Sequence, residues 1–206
     1  MALIQKTRTG ELHFMRRFLL ALAICISLFG ISAVAQDSWQ IDPRHTAAQF
    51  SVRHLGISTV RGAFTKVSGT VQYDPANPGK DSVQASIDAA SVDTRVEARD
   101  KDLRSPNFLD VEKYPTITFQ SKRVEAAAGA LKVTGDLTIH GVTKEVVLEV
   151  DGPTPPIKDP MGNQRMGASA STRINRRDFG VNGAPGVAGD DIAITLDIEM
   201  FRPMPK

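Results

Sequence analysis

From residue 47 onward apolar and polar residues alternate with a period of two, which in a strand sends successive side chains to opposite faces. Phe50 and Val52 alternate with Ser51 and Arg53. Val67, Val71 and Tyr73 follow, with Gly69 between them, and Val83, Ala85 and Ile87 make a third set. Ile117 with Phe119, then Leu131, Val133, Leu137 and Ile139, then Val146, Leu148 and Val150 continue the pattern. Met166, Ala168, Ala170 and Ile174 form a seventh set, and Ile192, Ile194, Leu196, Ile198 and Met200 an eighth. Eight strands with one apolar face each must bury that face, and too few helices are present to cover an open sheet. The sheet is therefore expected to fold onto itself as an all-β, eight-stranded, up-and-down antiparallel barrel. A two-sheet sandwich satisfies the same alternation and is the main alternative.

The connections fit short hairpins. Asp74 to Gly79 separates the second and third strands, Ala128-Gly129 precedes the fifth, and a Pro-rich stretch from Pro153 to Gly162 joins the sixth to the seventh. One segment departs from the alternation. Thr94 and Glu97 have the spacing of a capping box, so Arg95 to Arg104 is expected to form one short crossover helix before Ser105-Pro106 stops it. Its wet side would hold Arg99, Asp100, Lys101, Asp102 and Arg104, while Val96 and Leu103 cover the barrel.

Residues 1 to 35 read differently. Arg16-Arg17, the apolar run from Phe18 to Ile31, and Ala33-Val34-Ala35 have the order of an export signal cut before Gln36. The run is shorter than the roughly 20 residues that span a bilayer, so no permanent membrane span is expected. Residues 1 to 14 are unlike a leader, which points to Met15 as the true start. Removing 35 of 206 residues leaves a single domain, 36–206, with 21 Lys+Arg against 22 Asp+Glu. That balance removes the case, on net charge, for nucleic acid or an acidic membrane surface as partner. Cys25, the sole cysteine, lies in the leader, so the exported chain depends on core burial instead of disulfides. Leu22 to Cys25 is a poor lipoprotein box because Ile24 stands where a small residue is wanted.

An eight-stranded barrel is wide enough either to be filled by its own side chains or to hold one small ligand. The inward candidates Ala48, Gly69, Ala85, Gly135, Ala168 and Ala170 are small, which favours residual space, yet they also suit a dry core interleaved with Phe and Leu. The pattern leaves both open. Among polar residues, His45, His54 and His140 lack metal-ligand spacing. By parity His54 points into the barrel mouth or holds the loop after strand one. Arg176-Arg177-Asp178 either meets a polar ligand end or forms an ion pair that braces the turn before strand eight. Phe108 either plugs or gates an end of the barrel. There is no GxSxG, HExxH or phosphate-cradling GxxxxGK[ST] motif, and the stretch Gly183 to Gly189 carries Pro185 and leads into a strand, so it reads as a loop. No catalytic residue, cofactor or metal is expected.

The local motifs resemble those of the YceI-like family. They comprise Trp39 to Thr46, Phe50 to Gly56, Gly62-Ala63-Phe64, Asp100 with Leu103-Arg104-Ser105, Phe108 to Pro115, Ile117-Thr118-Phe119 with Ser121, Gly135 to Lys144, and Asn175 to Gly180. The match runs from about 39 to 200; Thr46 stands where Ser is more usual, and the 153–162 loop is idiosyncratic. The resemblance implies a periplasmic, lipocalin-like antiparallel barrel that binds polyisoprenoids, isoprenoid quinones or fatty-acid amides. The tail of such a long-chain amphiphile would lie among Phe50, Val52, Phe64, Phe119, Leu137 and Ile139, with His54, Phe108 and Phe179 near an end. Two other readings are a ligand-free barrel acting through its outer surface and a hydrolase of a lipid-like substrate. The sequence leaves a homodimer open.

Overall fold

The computed structural model describes residues 37–127 and 129–203; the expected export signal and the start at Met15 lie outside the described residues. Among the described residues the chain forms β1 Asp37–Ile41, β2 Ala47–His54, β3 Ser58–Phe64, β4 Val67–Tyr73, β5 Ser82–Asp88, β6 Val92–Asp93, a single α-helix α1 Glu97–Arg104, β7 Thr116–Ala127, β8 Ala130–Ile139, β9 Val142–Asp151, β10 Ile157–Lys158, β11 Gln164–Asn175 and β12 Ala188–Arg202. β1 and β2 lie end to end along β12, β1 opposite Met200 and Phe201 and β2 opposite Ala188–Asp197. Their partners are divided the same way: β4 pairs with β1, and β3 with β2. Each couple is one long barrel strand interrupted once. Two segments, β1 and β3, thereby complete strands that the alternation marks only in part.

With β5, β7, β8 and β9 following as antiparallel neighbours and β11 next to β9, the twelve-pair ladder between β11 and β12 closes an eight-stranded barrel. Closure decides between barrel and sandwich. The ring is not uniform. β9 and β11 pair only at Glu149–Asp151 with Ser169–Ser171. β11 gives its first residues to β10, and Val142 to Leu148 of β9 have no ladder partner on that side among the described residues. Asp37, Arg202 and the turns after β4, β7 and β9 gather at one end of the barrel. The β2–β3 turn, α1 and the loop between β11 and β12 gather at the other.

The break between β1 and β2 is held by charge. The buried Asp42 carboxylate accepts the Arg44 N–H at 2.9 Å, bonds His45 Nδ1 at 2.9 Å, and receives Arg165 Nη1 at 2.7 Å. The same guanidinium reaches Glu199 on β12 at 2.5 Å and Asp159 in the loop after β10 at 2.8 Å. Burial would push the Asp42 carboxyl up, but Arg165, His45 and the Arg44 amide together hold it well below the usual carboxylate range. Arg165 is the main cause that lowers Asp159 to about 2. His45 is thus part of a structural ion-pair cluster.

The crossover helix differs from the expectation in four ways. It starts at Glu97, two residues later than expected, with Arg95 in the left-handed region at φ +63° and no side-chain cap. Thr94 does not form a capping box, because its amide and hydroxyl both donate to the Asp100 carboxylate. Asp100, expected on the wet side, is therefore only 4% exposed. Val96, expected to cover the barrel, is 46% exposed, and that task falls to Leu103.

Two of the small positions serve strand packing. A Cβ on Gly135 would lie 2.5 Å from the Gln120 carbonyl oxygen and 2.6 Å from the Phe119 ring, and one on Gly69 would run into the Gln84 carbonyl. Gly135→Ala is expected to destabilise the protein by roughly 1–3 kcal/mol, the range for overpacking, because a backbone carbonyl cannot move aside; an unchanged urea midpoint would contradict this. A second prediction concerns acid. Carboxylates whose pKa is depressed in the fold contribute stability that is complete above their ordinary value near 3.8 and is lost as pH falls toward 2. Arg165→Leu removes that contribution, so acid unfolding followed by circular dichroism should begin at higher pH than in the wild type, and the thermal midpoint at pH 7 should fall by several degrees.

Candidate functional site

Inside the barrel lies a cavity of about 450 Å³, within the range of small-molecule sites. All nine residues expected from parity and motif, Phe50, Val52, His54, Phe64, Phe108, Phe119, Leu137, Ile139 and Phe179, lie on its wall. The middle is aliphatic and aromatic, with Ile41, Val71, Val83, Leu148, Ile194 and Leu196 joining them. Space persists because Ala48, Ala85 and Ala168 stand where larger residues would meet across the lumen. Gly69, Gly135 and Ala170 are not on the wall. Phe119 occupies the room that Gly135 leaves, and the Phe50 ring lies over Gly62, 5.8 Å from the Phe64 ring.

Polar groups reach the cavity at its ends. At the end away from α1, Tyr73 stands near Asp81; burial first, and that carboxylate second, push the tyrosine hydroxyl pKa up. At the α1 end the wall includes His54, Arg99, Asp102 and Arg176. Charge alone assigns Arg99 to the wet side of the helix, and the structure corrects this. It sits four residues before Leu103, hence on the same helical face, and this spacing is the available signal. Its guanidinium donates to the Thr94 hydroxyl at 2.8 Å and the Thr94 carbonyl at 3.0 Å, which fixes it at the cavity's edge.

Arg176 is a buried brace. It donates to the carbonyls of Val181 and Gly183 at 2.8 Å, Gly189 at 3.0 Å and Ala188 at 3.1 Å, and pairs with Asp190 at 3.1 Å. Arg177 shares Asp190 at 2.7 Å. These bonds give the loop between β11 and β12 its shape, and with it the seat of Phe108, whose ring packs directly against Gly183. Phe179 and Val181, with Ile174, form the buried cluster against which Phe108, Leu137 and Ile139 rest. His140, at φ +52°, packs edge-on to Tyr114 with ring centroids 4.5 Å apart and is not on the cavity wall.

Asp42, His45 and Glu199 bring potential ligand atoms within 4.8 Å of one another. The Arg165 guanidinium already bridges the two carboxylates, so a cationic group fills the position a metal would take. No helix among the described residues is long and apolar enough to cross a membrane.

A closed antiparallel barrel around an apolar lumen, with one crossover helix at its end, is a lipocalin-like architecture. Within that class the chain belongs to the YceI-like family, whose domain model matches residues 39–200. Protein YceI of Escherichia coli O157:H7 is 36% identical over 191 residues, covering 90% of this chain and 97% of that protein. The Campylobacter jejuni YceI protein superposes with a TM-score of 0.63 at 32% identity, over 74% of this chain and 90% of the other. A polyisoprenoid binding domain from Saccharophagus degradans shares the fold with a TM-score of 0.61 at 16% identity, over 80% and 98% of the two chains.

Proposed function

We propose that the protein binds a long-chain apolar amphiphile, a polyisoprenoid, isoprenoid quinone or fatty-acid amide, within the barrel and carries or stores it in the periplasm without catalysing its conversion. The observation that carries this reading is the lumen wall, which is predominantly apolar and carries its charged groups toward its ends. Family membership supports it, as does the polyisoprenoid binding relative of the same fold. Export rests on the leader pattern of residues 1–35.

A guest in such a wall is held by burial. About 0.8 kcal/mol per buried CH₂ gives roughly 8 kcal/mol for ten methylenes, comparable with micromolar binding before the costs of association. The guest must therefore be long. His54, Arg99 and Tyr73 are the side chains suited to meet its polar end. The ligand-free reading has to account for an apolar cavity of about 450 Å³ that the fold would gain stability by filling.

Native mass spectrometry of the purified protein, followed by organic extraction, should reveal a bound lipid-like species. A protein that is both empty as purified and unable to take up isoprenoids or fatty amides would sink the proposal. Phe119→Arg, which puts an unpaired charge on the wall, and Ala168→Trp, which fills the lumen without one, should each abolish retention while circular dichroism stays that of the barrel. Retention by both folded variants would exclude the central lumen as the site.

A further inference from the structure

We infer that the α1 end of the barrel docks on the surface of an anionic phospholipid bilayer, with Leu55, Ile57 and Val187 entering the headgroup layer. These side chains are 53%, 79% and 41% exposed. They form one patch, since the Leu55 amide donates to the Val187 carbonyl at 2.8 Å across two neighbouring loops. The inference rests on the proposed function, because an apolar cargo is what gives this end a reason to face a bilayer.

The fold itself has little use for these residues. Leu55 and Gly56 are both left-handed, at φ +51° and +72°. Asn or Gly adopts that geometry at low cost, while leucine adds steric strain and exposed hydrocarbon. The two loops that carry the patch hold no carboxylate. The β2–β3 hairpin, residues 47–64, carries Arg53, Arg61 and His54 and no carboxylate, and residues 181–189 carry no charge at all. Arg53 holds the turn, donating to the Gly56 carbonyl at 2.6 Å and the Thr59 hydroxyl at 2.9 Å, and it is exposed, as is Arg61 on the same outer face. Beyond this loop along the chain, Asp190 is paired with Arg176 and Arg177, and Asp191 is exposed at the start of the β11–β12 ladder. The near-neutral total for residues 36–206 thus hides a β2–β3 hairpin whose charged side chains are all basic, and net charge is a poor guide to this surface.

Apolar side chains flanked by arginine suit the interface of an anionic membrane. Three side chains are far too few for the roughly 800 Å² per partner of a stable protein interface. The patch is also continuous with the lumen, since Val187 and His54 lie on the cavity wall. Docking would set the mouth of the cavity against the lipid from which a long-chain guest comes.

The test uses residues 36–206, the part expected after export and holding the closed barrel, sedimented with vesicles of phosphatidylcholine alone or mixed with phosphatidylglycerol. The wild type should bind the mixed vesicles, and binding should weaken in high salt. Leu55→Asn with Ile57→Ser should lower partitioning at least tenfold with the thermal midpoint unchanged or raised, and Arg61→Gln should lower it several-fold. No vesicle binding by the wild type, or equal binding by the variants, overturns the inference. So does sedimentation velocity showing a wild-type dimer that Leu55→Asn turns into a monomer. Uptake of cis-parinaric acid in solution reports the lumen separately and should be the same in all these proteins. Failure of uptake by the wild type would overturn the lumen reading beneath the inference, whatever the vesicles show.

Discussion

Closure of the barrel depends on β12. Its fifteen residues pair with β11 along most of their length on one side and with β1 and β2 in turn on the other. Without a strand of that length the sheet would have two free edges, each with unpaired amides and carbonyls. The interruption between β1 and β2 is the cost of wrapping one barrel strand along so long a partner. Asp42 accepts the amide that the break exposes, and Arg165 ties the break to β12 and to the loop after β10. Removing the cation would leave a buried carboxylate with only His45 and the Arg44 amide as partners at the point where the first and last strands meet.

The lumen follows from closure together with residue size. Once the sheet is closed, inward side chains converge on an axis, and a wall with Ala48, Ala85 and Ala168 cannot fill the centre. The empty volume is a stability penalty unless something occupies it. Its walls hold almost nothing that can hydrogen-bond in the middle, so only hydrocarbon is a good occupant. The braced loop between β11 and β12 and α1 flank the end nearest His54, and they bring to it charged groups whose hydrogen bonds are mostly internal.

Much of this is legible in the sequence, for a physical reason. Strand parity assigns a side chain to one face, so parity and motif together point to nine residues that lie on the cavity wall, among many others. The barrel is one of two outcomes that parity allows, and the motifs from Trp39 to Gly180 favour it. Parity is blind to contacts across strands and across long separations. By parity Gly135 reads as empty lumen, but Phe119 from the adjacent strand occupies that space. Arg165 lies 123 residues from Asp42 and 34 from Glu199, so no local pattern announces their cluster. Thr94 has the spacing of a cap and instead bonds Asp100, a tertiary partner competing with a helical one. Arg99 is misplaced when charge is weighed ahead of helical phase.

The thin join between β9 and β11 gives the wall a preferred place to part. Separating these strands sacrifices three residue pairs, whereas β9 keeps its full ladder to β8 and β11 its ladder to β12. Opening there breaks fewer backbone pairings than opening between any other neighbouring barrel strands in the ring. Val146, Ile174 and Phe179 pack together beside this join and also line the cavity. Occupancy of the lumen and integrity of the join are therefore linked equilibria. A guest that touches this cluster binds the closed wall and not the parted one, so its concentration sets how often the barrel breathes.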